Sequence, residues 1–366
     1  MATDSSAERI LSGTSWSDFC TELRRAGEVI LRDGSPRDPF DRAEGFRYLS
    51  RLTRVALESF IEFADPRAPV LHRPAHETIK MGADNPDNVY QSAAISGAFD
   101  YRIWGSRGTI HTLGFGTYAG NYGSSARSGP TGYVDAAQLE VGSDGSFEIQ
   151  LSCQEKPGNW LPMEPDTTSL IVRQTYRDRS REKPAQLQIE HLGAEGPPEP
   201  VTAEFIDRGL AKAAAYVNGT ATLFADWAED FAKRVNELPR FDPSRASAAH
   251  GDPHIAYYHG YWELGPGEAL LIEVTPPACA YWNFQLNNHW MESLDYRYHT
   301  IALNGHGARL EKDGSVRIAI AHADPGIKNW IETAGHRRGT MCLRWVGAEE
   351  HPQPTTRVVS AGDLSP

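Results

Sequence analysis

The chain has 366 residues with 36 basic and 48 acidic side chains, a formal charge of 36 − 48 = −12. Its length predicts more than one core, and its acidity without a basic run argues against nucleic acid or an anionic membrane surface as partner. Four scattered cysteines (Cys20, Cys153, Cys279, Cys342) fit neither a zinc knuckle nor a disulfide framework, and point to a reduced, cytoplasmic protein. The opening residues carry no secretory pattern, and no apolar run approaches the roughly 18 residues that span a bilayer.

In chain order, Phe46, Leu49, Leu52, Leu57, Phe60 and Ile61 recur at helical spacing, which predicts a helical segment within residues 1 to 80. Short β-rich runs follow over 81 to 176, with a hairpin signal in "GSDGSFEIQL". The charged, proline-rich residues 176 to 200 suit an exposed connection, and within the linker and helical insertion of 177 to 250 a stripe of Leu223, Trp227, Phe231 and Val235 predicts helix, broken at Asn218-Gly219. A second β region spans 251 to 350, and 351 to 366 read as a tail.

The two β regions repeat one another. "DGSFEI" at 144 matches "DGSVRI" at 313, "PGNWL" at 157 matches "PGIKNWI" at 325, "YRI" at 101 matches "LIE" at 271, and "LIVRQ" at 170 matches "MCLRW" at 341. The offsets run from 168 to 171 in constant order, as two sandwiches of one topology would give. The expected fold is therefore mainly β, with helical additions between two related β-sandwiches.

Four loops concentrate polar groups. In "MGADNPDNVYQ", turn chemistry accounts for the sequence, and Asn85, Asp87 and Tyr90 are also available to a ligand. In "GNWLPMEPDTTS", Trp160 offers an aromatic face, and Glu164 and Asp166 could divide acid and base roles if the loop folds back. In "IAHADPGIKNWIETAGHR", His322 and Asp324 have the spacing of an imidazole oriented by a carboxylate, the arrangement of a general base, with Trp330 nearby.

The fourth, "AYWNFQLNNHW", puts Trp282, Phe284 and Leu286 on one parity and Tyr281, Asn283, Gln285 and Asn287 on the other. The amide row either lines a polar pocket or meets solvent. Further on, Asp295, Arg297 and His299 share parity, so Arg297 binds either Asp295 or a ligand anion. No Walker loop, G-x-S-x-G, H-E-x-x-H or C-x-x-C motif occurs. The 13 histidines have no compact ligand spacing; no cofactor is expected, and a bound metal is left open.

The stretches "DNPDNVYQSAAISG", "NWLPMEPDTTSLIVRQTY", "YWNFQLNNHWMESLDYR" and "IAHADPGIKNWIETAGHRRGTMCLRW" resemble the bacterial family of unknown function numbered 1214, which often accompanies a domain numbered 1254. The resemblance implies jelly-roll-like sandwiches with helical additions. It assigns no chemistry, but marks Asn85, Asp87, Tyr90, Trp160, Trp282, Gln285, Asn288, Asp295, Arg297, His322, Asp324 and Trp330 by position.

The expected function is binding of a small, largely hydrophobic, oxygenated organic molecule. As an enzyme the protein would carry out cofactor-independent hydrolysis, elimination or isomerisation, with His322 and Asp324 supplying the base and Glu164 or Asp166 the acid. The alternatives are a carbohydrate-binding module or a sheet-packed assembly protein, and a homo-oligomer is compatible with either.

Overall fold

The computed structural model describes residues 4–122, 128–194 and 196–364. Three helices lead: α1 (Ser6–Ser12), α2 (Thr14–Leu31) and α3 (Pro39–Leu57), the last running into a π turn at Glu58–Glu62. Ser5 and Glu8 form a reciprocal capping box at α1, and Asp38 caps α3 ahead of a proline in its first turn. The sequence reading detected only α3 and the π turn.

The first sandwich contains β1 (Asn88–Ala94), β2 (Tyr101–Ser106), β3 (Thr112–Ala119), β4 (Gly129–Asp135), β5 (Ser146–Ser152), β6 (Trp160–Pro162), β7 (Thr167–Thr175) and β8 (Gln186–His191). The second contains β9 (Ile255–Glu263), β10 (Glu268–Val274), β11 (Tyr281–Leu286), β12 (Ala302–Asn304), β13 (Val316–Ala321), β14 (Trp330–Glu332), β15 (Arg338–Val346) and β16 (Thr355–Ser360).

The repeat is complete at the level of topology. Sheets ordered β1-β7-β3-β4 and β6-β5-β2-β8 have counterparts ordered β9-β15-β11-β12 and β14-β13-β10-β16, so strand n corresponds to strand n + 8. Even the parallel pairs β5/β6 and β13/β14 recur. The strand register refines one sequence match. Ile149 pairs with Ile103 and Ile318 with Ile272, and since 318 − 149 = 169, β2 maps onto β10 at 272 − 103 = 169, one less than the "YRI"/"LIE" alignment. A one-residue slip exchanges the two faces of a strand, and β10 is apolar on both, so pattern alone cannot fix it.

Three further expectations are corrected. The tight turn at Gly142–Ser146 leads into β5, whose antiparallel partner is β2, so "GSDGSFEIQL" is not a hairpin. The exposed connection and the C-terminal tail each contain an edge strand, β8 on β2 and β16 on β10, hidden by polar alternation. Finally, α4 (Ala203–Phe231) runs unbroken through Asn218-Gly219: Asn218 Nδ2 donates to Glu22 O and Ala214 O, fastening α4 to α2 where a break was expected.

Each sandwich has its own core. Ile103, Phe115, Ile149 and Val172 lie in the first, and Ile272, Phe284, Ile318 and Leu343 in the second. A helical core of Ile30, Tyr48, Leu52, Val217 and Ala221 is sealed by Trp290, whose indole packs against Gly45 and donates to Asp41 O. No helix among the described residues is long and apolar enough to cross a membrane.

Candidate functional site

The outer face of β1-β7-β3-β4 and that of β9-β15-β11-β12 both turn toward α4, leaving a cavity of about 1640 Å³. Its wall combines Tyr90, Arg173 and Gly114 from the first sandwich with Tyr257, Tyr281 and Arg344 from the second. Helix α4 adds Tyr216, Phe224 and Trp227. The segment following α5 (Pro243–Ala248) adds His250, Asp252 and His254.

The amide row neither lines this cavity nor meets water. Asn283, Gln285 and Asn287 are fully buried; the first two face the loop that precedes β1, and Asn287 bonds Gln285 and Thr340. Asn283 Nδ2 donates to Asn85 Oδ1 (3.1 Å), Gln285 Nε2 to Asp84 O (2.9 Å), and Tyr281 Oη to Asp87 Oδ2 (2.7 Å), which also accepts Asn304 Nδ2 (2.8 Å). Neutral amides suit this seam because each donates and accepts without the desolvation cost of a buried charge. Gly82 and Ala83 adopt left-handed φ of 60° and 59°, which presents Ala83 O to Arg344. The loop is thus the joint between the two sandwiches.

Arg173 and Arg344 occupy equivalent positions (344 − 173 = 171), each beside an equivalent tyrosine, since Tyr90 pairs with Arg173 and Tyr257 with Arg344. The other neighbouring strand differs: Asn283 stands opposite Arg344, but Gly114 stands opposite Arg173. Arg344 donates from one terminal nitrogen to Gln285 Oε1 (2.6 Å) and Asn283 Oδ1 (3.4 Å), and from the other to Ala83 O. Among the described residues Arg173 donates only to Tyr118 Oη (2.8 Å) and His250 O (2.5 Å), and its side chain is half-buried against the cavity. No described carboxylate forms an ion pair with either guanidinium.

Gly114 and Gly116, the counterparts of Asn283 and Gln285, lie beneath tyrosine hydroxyls. A Cβ on Gly114 would come 2.5 Å from Tyr133 Oη, and one on Gly116 would come 2.7 Å from Tyr118 Oη. Burial, followed by the charges of Asp252 and Asp135, pushes the Tyr133 hydroxyl up, and its ring lies 4.6 Å from that of His254. His254 Nδ1 is 3.3 Å from Asp252 Oδ1, and Asp252 is buried. Among the described residues this is the one His–carboxylate pair that lines the cavity. Burial, followed by the charge of Arg173, pushes the neighbouring His250 imidazole down to about 4, so it stays neutral.

Of the residues singled out from sequence, Asn85, Tyr90 and Asp166 line the cavity. The expected dyad does not form: His322 is exposed, with Nδ1 2.9 Å from Thr333 Oγ1, while Asp324 accepts Gly326 N in a turn. Neither reaches the cavity, and Glu164 and Asp166 lie in the other sandwich, between β6 and β7. Trp282 is no pocket wall, because its parity faces the second core, where it packs on Trp345 at 5.8 Å.

Trp160 and Trp330 are equivalent clips, whose indoles donate to Ser152 O and Ala321 O at the ends of β5 and β13. Asn288 accepts Trp290 N and donates to Glu292, itself bonded to Arg51 of α3 at 2.5 Å. Strand β11 ends at Leu286, so Asp295 and Arg297 sit in a turn and bind each other at 2.9 and 2.6 Å. That hydrogen-bonded pairing holds the Asp295 carboxyl down to about 2.

Arg173 and Arg344 escaped the sequence reading although "LIVRQ" and "MCLRW" align them. Asp252-Pro-His254 has the same two-residue spacing as His322 and Asp324, but in sequence His254 reads only as a scattered metal-ligand candidate. No cluster of three or more described His, Cys, Asp or Glu could hold a metal ion.

Fold and cavity together define a two-sandwich protein with an arginine-floored aromatic pocket between its halves. The chain belongs to the family described as protein of unknown function (DUF1214), whose profile matches residues 124–177 and 269–350. No curated protein matches it. Among solved structures, an uncharacterised protein from Burkholderia cenocepacia is 51% identical with a TM-score of 0.96, the match covering 98% of this chain and 99% of that one. The VPA0106 protein from Vibrio parahaemolyticus matches at 10% identity and a TM-score of 0.48, over 85% of this chain and 98% of that one.

Proposed function

We propose that the protein binds a small, largely hydrophobic, oxygen-bearing organic molecule between its sandwiches and performs acid–base chemistry on it. The observation that carries this reading is the inter-sandwich cavity itself, whose aromatic wall converges on a few polar groups. His254 is the base. Asp252 is a positioning residue that holds a proton on Nδ1 and leaves the Nε2 lone pair to accept a substrate proton. Hydrolysis, elimination and isomerisation can each be driven by such a base without a cofactor. Four free thiols favour a reducing, cytoplasmic setting.

Native mass spectrometry of the purified chain beside its denatured mass tests the binding half of the proposal. A retained organic mass supports it, and that compound becomes the substrate lead. Turnover of the lead should fall at least 100-fold in His254→Ala with the fold intact. Full activity in that variant would remove His254 from the mechanism.

A further inference from the structure

We infer that the molecule held in the cavity is a monocarboxylate, and that its oxygens accept the Arg173 guanidinium donors left unused by Tyr118 and His250, as the Asn283 and Gln285 side-chain oxygens accept from Arg344. The inference rests on the cavity being a small-molecule site and adds the chemical class of the ligand. Its basis is the repeat. At Arg344 two amide oxygens converge on one guanidinium nitrogen. At Arg173 the same strand positions are Gly114 and Gly116.

The tyrosines over those glycines only partly replace the amides. Tyr118 Oη accepts one Arg173 hydrogen bond, whereas Tyr133 Oη accepts none from that guanidinium. A guanidinium has five N–H donors in a planar fork. Two of Arg173's bonds are made within the protein, so the remaining donors point to an external acceptor with paired oxygens. A carboxylate has that geometry.

Charge and polarity narrow the class. Asp252 and the overall charge of −12 oppose a dianion, and the rings of Tyr122, Phe224, Trp227 and Tyr257 favour an aromatic or alicyclic body over a strongly hydrated phosphate. At about 1640 Å³ the cavity admits a multi-ring acid.

The test is calorimetric titration of the full chain with 2-naphthoate, with its neutral isostere 2-naphthamide, and with inorganic phosphate as competitor. The expected result is naphthoate binding at least tenfold tighter than naphthamide, a preference lost in Arg173→Gln and undisturbed by phosphate. Arg173→Lys, which keeps the charge but not the fork, should lose most of that preference. It also supplies a folded comparison if the glutamine variant fails to fold.

Equal binding of acid and amide by the wild-type chain would overturn the inference and leave the small-molecule reading standing. An acid preference that survives in either folded variant would also overturn it, as would displacement of naphthoate by millimolar phosphate. Failure of both naphthalenes to bind would count against the small-molecule reading itself.

Discussion

Arg173 and Arg344 stand at the same point of two copies of one sandwich, and only Arg344 has its hydrogen-bonding needs met by amides of its own sheet. Removing Arg344 should therefore be a stability lesion. Arg344→Met would orphan Ala83 O and Asn283 Oδ1 inside the joint, at a cost of about 3 kcal/mol. Urea unfolding would register this as a lower midpoint; a loss below about 1 kcal/mol would contradict the assignment of Arg344 to the seam.

Gln285→Ala should weaken the same seam from the other side. It removes donors to Asp84 O and Asn287 Oδ1 and an acceptor from Arg344, all buried, for an expected loss of about 2 kcal/mol. The Gln285→Ala/Arg344→Met double variant should lose less than the sum of the singles because they share a contact, which a double-mutant cycle in urea measures.

His322→Ala should be nearly silent. The ring is exposed and its contacts are peripheral, so stability should change by no more than about 0.5 kcal/mol. Ligand affinity should match wild type. A marked loss of affinity would return His322 to the site.

His259 predicts a pH dependence. Its ring is boxed by Trp227, Phe231 and Phe241, and burial, followed by the charges of Arg344 and Arg245, holds its pKa down to about 3. In the unfolded chain the same ring titrates near 6.5. Between those values the unfolded state binds the extra proton, so this contribution is fully present above pH 6.5 and is lost on acidification at up to about 1.4 kcal/mol per pH unit. Stability measured from pH 7 to 4.5 should therefore fall less steeply in His259→Phe than in wild type, and identical slopes would refute the account.

Thiol labelling should be graded. Cys20 and Cys153 are exposed and should react in the native state, Cys279 more slowly, and Cys342 only on unfolding. Burial pushes the Cys342 thiol up to about 11, which removes its thiolate as well as its access. Native reaction of Cys342 at the rate of Cys20 would show that its strand is open.

The fold was legible in the sequence because repeated landmarks survive as turns and strand ends: Asp144 and Asp313 make the same turn before β5 and β13, and Trp160 and Trp330 the same clip. The site was less legible. The amide row announces a specialised strand face, but its partners Asp84, Asn85 and Asp87 lie about 200 positions away, and no local period reports such a contact. Arg173 is conspicuous only when compared with Arg344. Even then the deciding residues are Gly114 and Gly116, whose meaning is the absence of a side chain.

The bond between Arg51 and Glu292 has a consequence for synthesis. It spans 241 positions, and Trp290, which seals the helical core, emerges beside its far end. At about 5–20 residues per second, a ribosome needs roughly 12–50 s to deliver Glu292 after Arg51. During that interval α4 arrives to cover the apolar stripe of the leading helices, but Arg51 still lacks its carboxylate and the helical core its indole seal, so this core is completed only once the second sandwich is under way.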